Sequence, residues 1–373
     1  MFLSREQLES LQTPCVVLDM DTAQRNIEAM QREIDQTNCR LRPHVKTHKM
    51  PLFARMQVAA GAAGITCAKI SEAEVMADGG LDDIFIAYPI IGDFRIMRAI
   101  ALQKKIKRLI LAIDSAEGAC RLSALAAQAN TAFEVRMEID TGAGRTGIQM
   151  DRAAALAKEI AALPNLHLTG IYTFKGLVYQ GELTEDNDLA AREEGEMMAA
   201  AAAAIRACGI ELQDISAGSS PTGVAVAKTG LVNEVRPGTY IFKDQLLCRE
   251  HVAQPLDIAV RYAATVVSAN HEGYAVIDGG TKTFGTDIPL HQPPFCFDGY
   301  AAVEHSDDLV LARMNEEHGI VVSRKGHTGL KVGDVLTLIP IHVCTCINQQ
   351  NEVYLLSGGM LTKERVLARG MTV

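Results

Sequence analysis

Short runs of apolar and β-branched residues alternate with amphipathic segments along the first two thirds of the chain. The runs have the length of β-strands, and the segments between them repeat apolar residues at the spacing of a helix. The predicted strands are 40–46, 64–70, 83–89, 108–114, 133–140, 168–174, 214–218 and 234–241. Because each parallel strand needs a helical crossover, these eight repeats predict an α/β fold, a (β/α)8 TIM-type barrel. A doubly wound open sheet is the alternative, but no Gly-x-Gly-x-x-Gly motif follows the first strand.

The pattern changes after residue 244. Strand-like segments separated by turns, with little helical periodicity, follow at 258–269, 273–278, 319–323, 335–339 and 352–357. Such a pattern predicts a second, mostly antiparallel β domain. We therefore predict a barrel domain over residues 13–245 and a β domain over residues 246–373, to which residues 1–12 are assigned.

The charge balance and the cysteines narrow the class of protein. The chain has 373 residues, and its 36 Lys and Arg against 45 Asp and Glu argue against a surface that binds nucleic acid. No uncharged apolar stretch reaches the roughly 18 residues of a membrane helix, and the start of the chain lacks a signal-peptide pattern. Nine scattered cysteines indicate reduced thiols. A cytoplasmic protein without nucleic-acid or membrane partners is expected.

The first predicted strand carries basic residues at every second position. Arg40, Arg42, His44, Lys46 and His48 fall on one face of an extended chain. Barrel enzymes place their active site at the carboxyl ends of the strands, where Lys46 falls. Neighbouring cations and desolvation lower the pKa of an amine, as a nucleophilic lysine requires, so Lys46 is the predicted catalytic residue. An exposed basic strand is the alternative.

Two loops, after the seventh and eighth predicted strands, are candidate phosphate sites. They share backbone amides and hydroxyls that can donate to an anion: Gly218, Ser219, Ser220 and Thr222 in the first loop, and Gly238, Thr239 and Tyr240 in the second. Pro221 also suits the first turn of a helix, whose free amides favour a phosphate. A single hydroxyl would satisfy a plain helix N-cap, but both loops stand where barrels bind phosphate.

Two residues near the other strand ends are candidates for contacts with a cofactor or substrate. Arg145, in a Gly-rich loop after the fifth strand, could bind a cofactor ring oxygen or a substrate carboxylate; a solvated loop arginine is an equal alternative. Tyr172, near the end of the sixth strand, is expected to reach the same pocket.

A His-x-Cys motif in the second domain, His342 and Cys344, is a candidate metal pair. An extended chain places both ligand atoms on one side, and a thiolate with an imidazole suits zinc. Two protein ligands suit a catalytic ion, whose other positions go to water or substrate. A buried histidine beside core cysteines is the alternative.

Eight motifs extend these observations over nearly the whole chain. In order they are RPHVKTHK, GITCAKISEAE, EIDTGAGRTGI, SAGSSPT, EVRPGTYIFKD, VIDGGTKTFGTD, NEEHGI and IHVCTCIN. With them the chain resembles the D-threonine aldolase and D-serine dehydratase family, relatives of alanine racemase among fold-type III enzymes that use pyridoxal 5′-phosphate (PLP). The resemblance implies a homodimer of chains that each combine a barrel with a β domain.

The resemblance also implies roles for the candidate residues. Lys46 looks like the Schiff-base lysine, and the phosphate cradle looks to be formed by Ser219, Ser220, Thr222, Gly238 and Tyr240. We also predict His44, Arg145 and Tyr172 as cofactor contacts. His342 and Cys344 look like the pair that binds a divalent metal. In this family many aldolases have His-x-Asp with magnesium or manganese, whereas zinc-dependent dehydratases have His-x-Cys. The pair in this chain therefore favours zinc over manganese or magnesium, and β-elimination over aldol cleavage.

The function predicted from these features is that of a PLP-dependent, divalent-metal-assisted lyase acting on D-3-hydroxy amino acids. Lys46, Arg145 and Tyr172 are its expected catalytic residues, and a small amino acid its substrate. A PLP-dependent amino-acid racemase and a non-catalytic PLP carrier are the alternatives. The loop at 174–179, FKGLVY, departs from the polar loop of the family and leaves the substrate open.

Overall fold

The computed structural model describes residues 3–373, and its barrel strands follow the predicted order. The helices are α1 Arg5–Ser10, α2 Met20–Asp35, α3 Pro51–Ala59, α4 Ile70–Asp78, α5 Asp93–Gln103, α6 Ala116–Gln128, α7 Ala153–Ala161, α8 Asn187–Arg206, α9 Gly223–Lys228, α10 Gln245–Arg249 and α11 Val343–Ile347. The strands are β1 Cys15–Asp19, β2 Arg40–Leu41, β3 Ile65–Cys67, β4 Asp83–Pro89, β5 Arg108–Ile113, β6 Phe133–Glu138, β7 Leu166–Tyr172, β8 Val178–Tyr179, β9 Glu182–Leu183, β10 Asp214–Ala217, β11 Glu234–Val235, β12 Val260–Ser268, β13 Tyr274–Ile277, β14 Ala301–Val303, β15 Leu309–Met314, β16 Gly319–Ser323, β17 Val335–Pro340, β18 Glu352–Ser357 and β19 Met360–Arg365.

The chain divides into two compact units. The barrel unit consists of Glu28–Lys46, Met50–Gly238 and Met371–Val373. The sheet unit consists of the described residues up to Ile27, together with Thr47–Lys49 and Thr239–Gly370.

The barrel unit is built on eight parallel strands in the order β2-β11-β10-β7-β6-β5-β4-β3. A parallel bridge between His44 and Thr66 joins the two ends of this order, so the sheet closes on itself. Buried side chains including Phe85, Ile110 and Tyr172 pack together as a core cluster. The predicted (β/α)8 barrel is confirmed, and a strand is found within each of the eight predicted runs or overlapping it.

Two prolines make the first and last barrel strands shorter than predicted. The predicted runs continue to residues 46 and 241, but β2 and β11 are two-residue strands. Pro43 and Pro237 have no backbone N–H to donate, so the regular ladder is interrupted at each of them, although the His44 N–H still donates to the Pro237 carbonyl at 2.9 Å. A 3-10 turn follows each strand instead, Val45–Thr47 and Thr239–Ile241. Lys46 therefore lies in a turn beyond the strand rather than within it.

Charged side chains from neighbouring strands fill the amino end of the barrel. Arg42 and Arg136 are fully buried and share one carboxylate, with Arg42 Nε 2.9 Å from Glu234 Oε2 and Arg136 Nη1 2.5 Å from Oε1. Asp83 accepts a hydrogen bond from Arg42 Nη1 at 2.5 Å, and Asp214 accepts one from Arg136 Nη2 at 2.7 Å. The charges of this network are therefore paired inside the barrel.

The network corrects the interpretation of the basic first strand as one electropositive face around Lys46. Arg42 is paired within the network, and Arg40 forms an ion pair with Asp214. Arg40 begins β2, whereas Lys46 lies in the turn Val45–Thr47 that follows the strand. Alternation places residues on one face, but it does not place them in one pocket.

We predict that Glu234→Gln lowers the free energy of unfolding of the barrel unit by about 3–5 kcal/mol, because two buried guanidinium groups lose their shared counter-charge. Urea denaturation followed by circular dichroism measures the loss. The matched control is Glu134→Gln, which breaks a partly exposed pair with Arg108 and should cost about 0–1 kcal/mol. Equal losses in the two variants would contradict the prediction.

The same carboxylate gives the stability a pH dependence. Burial opposes ionisation of Glu234, but Arg136 and Arg42 outweigh it and hold the pKa of this carboxyl well below its usual range. Because the folded pKa lies below the unfolded one, the contribution is complete above the unfolded pKa and is lost as the pH falls towards the folded pKa. Acidification should therefore destabilise the Glu234→Gln variant less than the wild-type chain.

The sheet unit contains nine strands in the order β13-β16-β15-β14-β17-β12-β1-β18-β19. β13 also pairs with β12, so the six strands from β13 to β12 close into a small antiparallel barrel. β1 pairs antiparallel with β12 and parallel with β18. The second, mostly antiparallel domain is thus present as predicted, although the prediction lacks β1, β14, β15 and β19.

The unit boundaries differ from the predicted domain boundaries at both ends of the barrel segment. β1 and the residues from 239 to 245 belong to the sheet unit, whereas the prediction assigns them to the barrel domain. β1 joins strands from the distant C-terminal part of the chain, a pairing that a local sequence pattern does not reveal. Within residues 3–373, no helix has both the length and the apolar character that crossing a membrane requires.

Candidate active site

Lys46 lies in the turn that follows the first barrel strand. Its backbone N–H donates to His44 Nδ1 at 3.3 Å, and the residue is partly buried. Its Nζ lies 5.5 Å from the centre of the Phe174 ring, and the guanidinium of Arg145 lies 4.8 Å from the same ring. The structure therefore brings Lys46 and Arg145 to the side chain of Phe174, the first residue of the loop at 174–179.

Tyr172 is buried in the barrel core at the carboxyl end of β7. Its hydroxyl donates to Glu138 Oε2 at 2.8 Å, and the guanidinium of Arg236 lies 5.2 Å from its ring centre. Burial and the Glu138 carboxylate raise the pKa of Tyr172 well above its ordinary value, so its hydroxyl stays protonated. Burial also raises the pKa of Glu138. A catalytic role for Tyr172 stays a prediction, and in the structure its proton is held by Glu138.

The loop after β10 has a shape that requires glycine at its start. Gly218 has a φ of +83°, and a Cβ there would come within 2.8 Å of Val226 Cγ1 and 2.9 Å of Gly223 Cα. At Gly223 a Cβ would meet nothing nearer than 3.9 Å, so there is space beside this backbone. A tight turn with room beside its amides fits the phosphate of PLP.

The buried carboxylate of Glu194, which was not predicted as a site residue, stabilises this loop. Glu194, on α8, accepts hydrogen bonds from the Gly218 amide at 3.3 Å and from the Thr222 hydroxyl at 3.2 Å. Ser219 is also held inside the loop, because its amide donates to Thr222 Oγ1 at 3.0 Å. Burial raises the pKa of Glu194. Gly218, Ser219 and Thr222 therefore shape the loop in the structure.

In the loop after β10, Ser220 carries the hydroxyl of the residue that is not buried. It is partly exposed, and its Oγ accepts a hydrogen bond from the Gly238 amide at 3.3 Å. This contact joins the loop after β10 to the loop after β11, as the barrel position of both loops predicts. Within the barrel unit, Ser220 and Gly238 are thus predicted phosphate contacts from different loops that lie next to each other in the structure.

The remaining two cradle residues lie in the sheet unit. Tyr240 is buried in the turn Thr239–Ile241. The Thr239 hydroxyl lies 3.5 Å from Cys344 Sγ, and the Thr47 hydroxyl lies 3.1 Å from the same sulfur. The structure thus places Thr239 beside a predicted metal ligand, and its role as a phosphate contact stays a prediction.

The predicted metal pair has a different backbone from the extended one expected. His342 is extended, but it is the N-cap of α11, so Cys344 lies in the first turn of a helix. His342 Nδ1 lies 2.5 Å from Asp287 Oδ2. Burial opposes protonation of His342, but Cys344 and Asp287 outweigh it and raise the imidazole pKa well above its ordinary value. The thiol and the imidazole therefore interact although the chain between them is helical.

The donor set fits an open metal site rather than a closed one. Among the described residues 3–373, no group of three or more His, Cys, Asp or Glu side chains is arranged to hold a metal ion. A pair consisting of one imidazole and one thiol leaves coordination positions for water and substrate, as a catalytic ion needs. His342 and Cys344 both remain partly exposed.

Four residues near these positions were not predicted as site residues. Phe174 and Glu194 carry no local signal, because each acquires its role from a contact with another strand or loop. Glu138 begins the motif EIDTGAGRTGI, but the motif does not reveal its contact with Tyr172. Asp287 has a signal, since it ends the motif VIDGGTKTFGTD, but the motif alone names no partner for it.

The chain is similar to known proteins over nearly its whole length. Residues 18–245 match the family model "Alanine racemase, N-terminal domain", and residues 259–356 match a serine dehydratase domain model. The D-threo-3-hydroxyaspartate dehydratase of Delftia sp. (strain HT23) is 33% identical over 91% of this chain and 93% of that protein. The 3-hydroxy-D-aspartate aldolase of Paracoccus denitrificans (strain Pd 1222) is 31% identical over 96% and 92%.

Solved structures show the same similarity. The Delftia dehydratase superimposes with a TM-score of 0.89 and 32% identity, covering 96% of this chain and 98% of that one. The D-threonine aldolase of Filomicrobium marinum gives a TM-score of 0.86 with 28% identity and covers 97% of each chain. A mutant D-threo-3-hydroxyaspartate dehydratase, described as a metal-free form, gives 0.88 with 31% identity over 96% and 98%.

Proposed function

The chain belongs to the D-threonine aldolase and D-serine dehydratase family, and we propose that it is a PLP-dependent, divalent-metal-assisted lyase acting on D-3-hydroxy amino acids. Its named relatives are dehydratases and aldolases, and the alanine racemase-like barrel implies PLP. The observation that carries the proposal is that one chain combines Lys46, at the carboxyl end of such a barrel, with the pair His342 and Cys344.

Lys46 is the residue that we propose to hold the cofactor. PLP supplies, when bound, a ring that accepts electrons from a bond broken at the substrate Cα. The loop that starts at Gly218, together with Ser220 and the Gly238 amide, is proposed to hold its phosphate. The Lys46 amine and the Arg145 guanidinium both lie beside the Phe174 ring, which supports assigning them to one site.

The proton chemistry then depends on the bond that is cleaved. In β-elimination we assign Lys46 Nζ as the base that takes the Cα proton, and Arg145 as the cation that holds a carboxylate of the substrate. In retro-aldol cleavage a base takes the proton of the β-hydroxyl instead. Tyr172 is not assigned to either transfer, because its hydroxyl proton is held by Glu138.

His342 and Cys344 are the residues that we propose to hold a divalent ion. Such an ion supplies Lewis acidity to the β-hydroxyl of the substrate. An imidazole with a thiolate suits zinc better than magnesium or manganese, so we propose zinc and favour elimination over aldol cleavage. The description of one dehydratase relative as a metal-free form supports proposing a metal here.

A panel of substrates tests the function. We expect purified holoenzyme to cleave D-threo-3-hydroxyaspartate, D-serine or D-threonine. We expect a chelator to stop turnover, because it would remove the Lewis acidity that an ion held by His342 and Cys344 would supply to the hydroxyl group. Ammonia and keto acid measure elimination, whereas glycine and aldehyde measure aldol cleavage. L-serine and L-threonine are the matched controls and should not react.

Three outcomes would contradict the proposal. Racemisation without cleavage would indicate a racemase, and bound PLP without turnover of any substrate would indicate a carrier. Full activity in the presence of the chelator would leave the lyase assignment standing and remove the metal from it.

A further inference from the structure

The Asp287 carboxylate is held against the metal-pair histidine by a dedicated arrangement of the sheet unit. Its Oδ2 lies 2.5 Å from His342 Nδ1, and its Oδ1 accepts a hydrogen bond from the Thr345 hydroxyl at 2.7 Å. Both oxygens of the carboxylate are therefore engaged by residues at the start of α11. This fixes the rotation of the carboxyl group as well as its position.

The backbone before Asp287 is built to approach α11 closely. The Gly285 amide donates to Cys346 Sγ at 3.0 Å. A Cβ on Gly285 would come within 2.1 Å of Thr345 Oγ1 and 2.8 Å of Asp287 Oδ1. Only glycine fits at this position, so the segment lies against the helix because its sequence permits it. The approach places Asp287 beside His342.

The contact decides which nitrogen of the imidazole can bind a metal. A carboxylate only accepts hydrogen bonds, so Nδ1 carries the proton and donates it to Asp287. Nε2 is then the ring nitrogen that a metal ion can take. Histidine ligands commonly donate their other N–H to a carboxylate, which sets the orientation of the ring and strengthens it as a ligand.

A plain ion pair is a weaker explanation of this geometry. The side chains of His342 and Asp287 are 23% and 34% exposed, and pairs in such a position add little to stability. An ion pair alone would not need a glycine at 285 or a hydroxyl donated by Thr345. The arrangement restricts orientation, and orientation is what a metal ligand needs.

We propose that Asp287 is a positioning residue for a metal ion bound by His342 and Cys344. The inference rests on the proposed function, because it assigns Asp287 to the metal pair named there. Asp287 accepts a hydrogen bond from the His342 Nδ1–H and so fixes the orientation of the ring. It does not itself contact the ion or the substrate.

Metal affinity is the measurement that tests the proposal. The full chain, loaded with PLP and stripped of metal, is titrated with Zn²⁺ in competition with a chromophoric chelator. We expect Asp287→Ala to weaken Zn²⁺ binding by about 10–100-fold, the range that such supporting contacts have at metal sites. Asp287→Asn keeps an acceptor oxygen but not the charge, so its Zn²⁺ affinity should fall between those of the wild-type chain and Asp287→Ala. The PLP absorbance and the melting temperature should stay close to those of the wild-type chain.

Two further variants make the result specific. Asp308→Ala is the matched control, because Asp308 is a carboxylate of the same unit that also accepts a hydrogen bond from a hydroxyl, that of Ser323 at 2.6 Å. Its Zn²⁺ affinity should equal that of the wild-type chain. Thr345→Val removes the hydroxyl that donates a hydrogen bond to Asp287 and leaves the Asp287 carboxylate intact. It should weaken Zn²⁺ binding severalfold. It decides the question if Asp287→Ala does not fold.

The outcomes separate this inference from the function on which it rests. If His342→Ala loses Zn²⁺ while Asp287→Ala and Thr345→Val bind it within twofold of the wild-type chain, the positioning role is refuted and the metal pair stands. If the wild-type chain binds no Zn²⁺ at His342, the metal pair is refuted and the positioning role with it. A graded loss from the wild-type chain through Asn to Ala supports the proposal.

Discussion

Replacing Lys46 with alanine is expected to abolish lyase turnover. It should also abolish the absorbance at roughly 410–430 nm that is typical of PLP bound to a lysine. The primary amine is the group that binds the aldehyde carbon of the cofactor, and alanine has no nucleophile to replace it. The turn Val45–Thr47 carries this amine beyond β2, where its Nζ lies 5.5 Å from the Phe174 ring centre. Spectra recorded after dialysis, together with turnover of D-threo-3-hydroxyaspartate, measure the two effects.

Another lysine of the barrel unit provides the control. Lys69 follows β3, and its Nζ lies 3.4 Å from the Tyr88 ring centre, so it is also a cation beside an aromatic ring. Lys69→Ala should keep the absorbance and most of the turnover. Lys46→Arg keeps the positive charge but not the amine, and it should behave as Lys46→Ala does. An absorbance retained in Lys46→Ala would refute the assignment.

Replacing His342 or Cys344 with alanine is expected to remove the metal from the purified protein and to lower turnover by about 10²–10³-fold. The estimate corresponds to several kcal/mol of Lewis-acid stabilisation in the transition state. Each variant leaves one protein ligand, which is too few to hold the ion. Metal content per chain and steady-state kinetics measure the effect. The PLP absorbance should persist, because Lys46 is unchanged.

The neighbouring cysteine is the control for the metal pair. Cys346 is buried in the same helix, and burial raises its pKa to about 11, so it stays a neutral thiol that binds metal poorly. Its sulfur accepts a hydrogen bond from the Gly285 amide, so we expect Cys346 to have a structural role and not to bind the metal. Cys346→Ala should keep the metal. Loss of metal from Cys346→Ala together with its retention in Cys344→Ala would reverse the assignment of the ligand.

The barrel could be predicted because its signals are local. The runs 83–89 and 108–114 nearly coincide with β4 and β5, since a buried parallel strand is a continuous apolar run bounded by polar turns. The predicted ends failed at β2 and β11, although Pro43 and Pro237 were visible there, because the pattern of apolar positions continues past both prolines. β1 was missed because its partners, β12 and β18, lie near the other end of the chain.

The residues of the candidate site also fall into those that the sequence predicted and those that only the folded structure revealed. Lys46, the loop that starts at Gly218 and the pair His342 and Cys344 were predicted because each is a short motif whose chemistry depends on neighbours in sequence. Glu194 and Asp287 were not, since a carboxylate on a helix or in a loop shows its partner only when the chain is folded. The basic first strand was misread because Arg42 finds its counter-charges on other strands.

By itself the sequence determined the order of the barrel strands, the closed barrel, the family and the lysine expected to hold the cofactor, because residue periodicity and contiguous motifs can be recognised without the folded structure. Only the tertiary structure decided which polar groups are already engaged. It committed Tyr172 to Glu138, Thr222 to Glu194 and His342 to Asp287. These pairings join strands, loops and helices that are distant in the chain, and hydrogen bonds form wherever folding brings a donor to an acceptor.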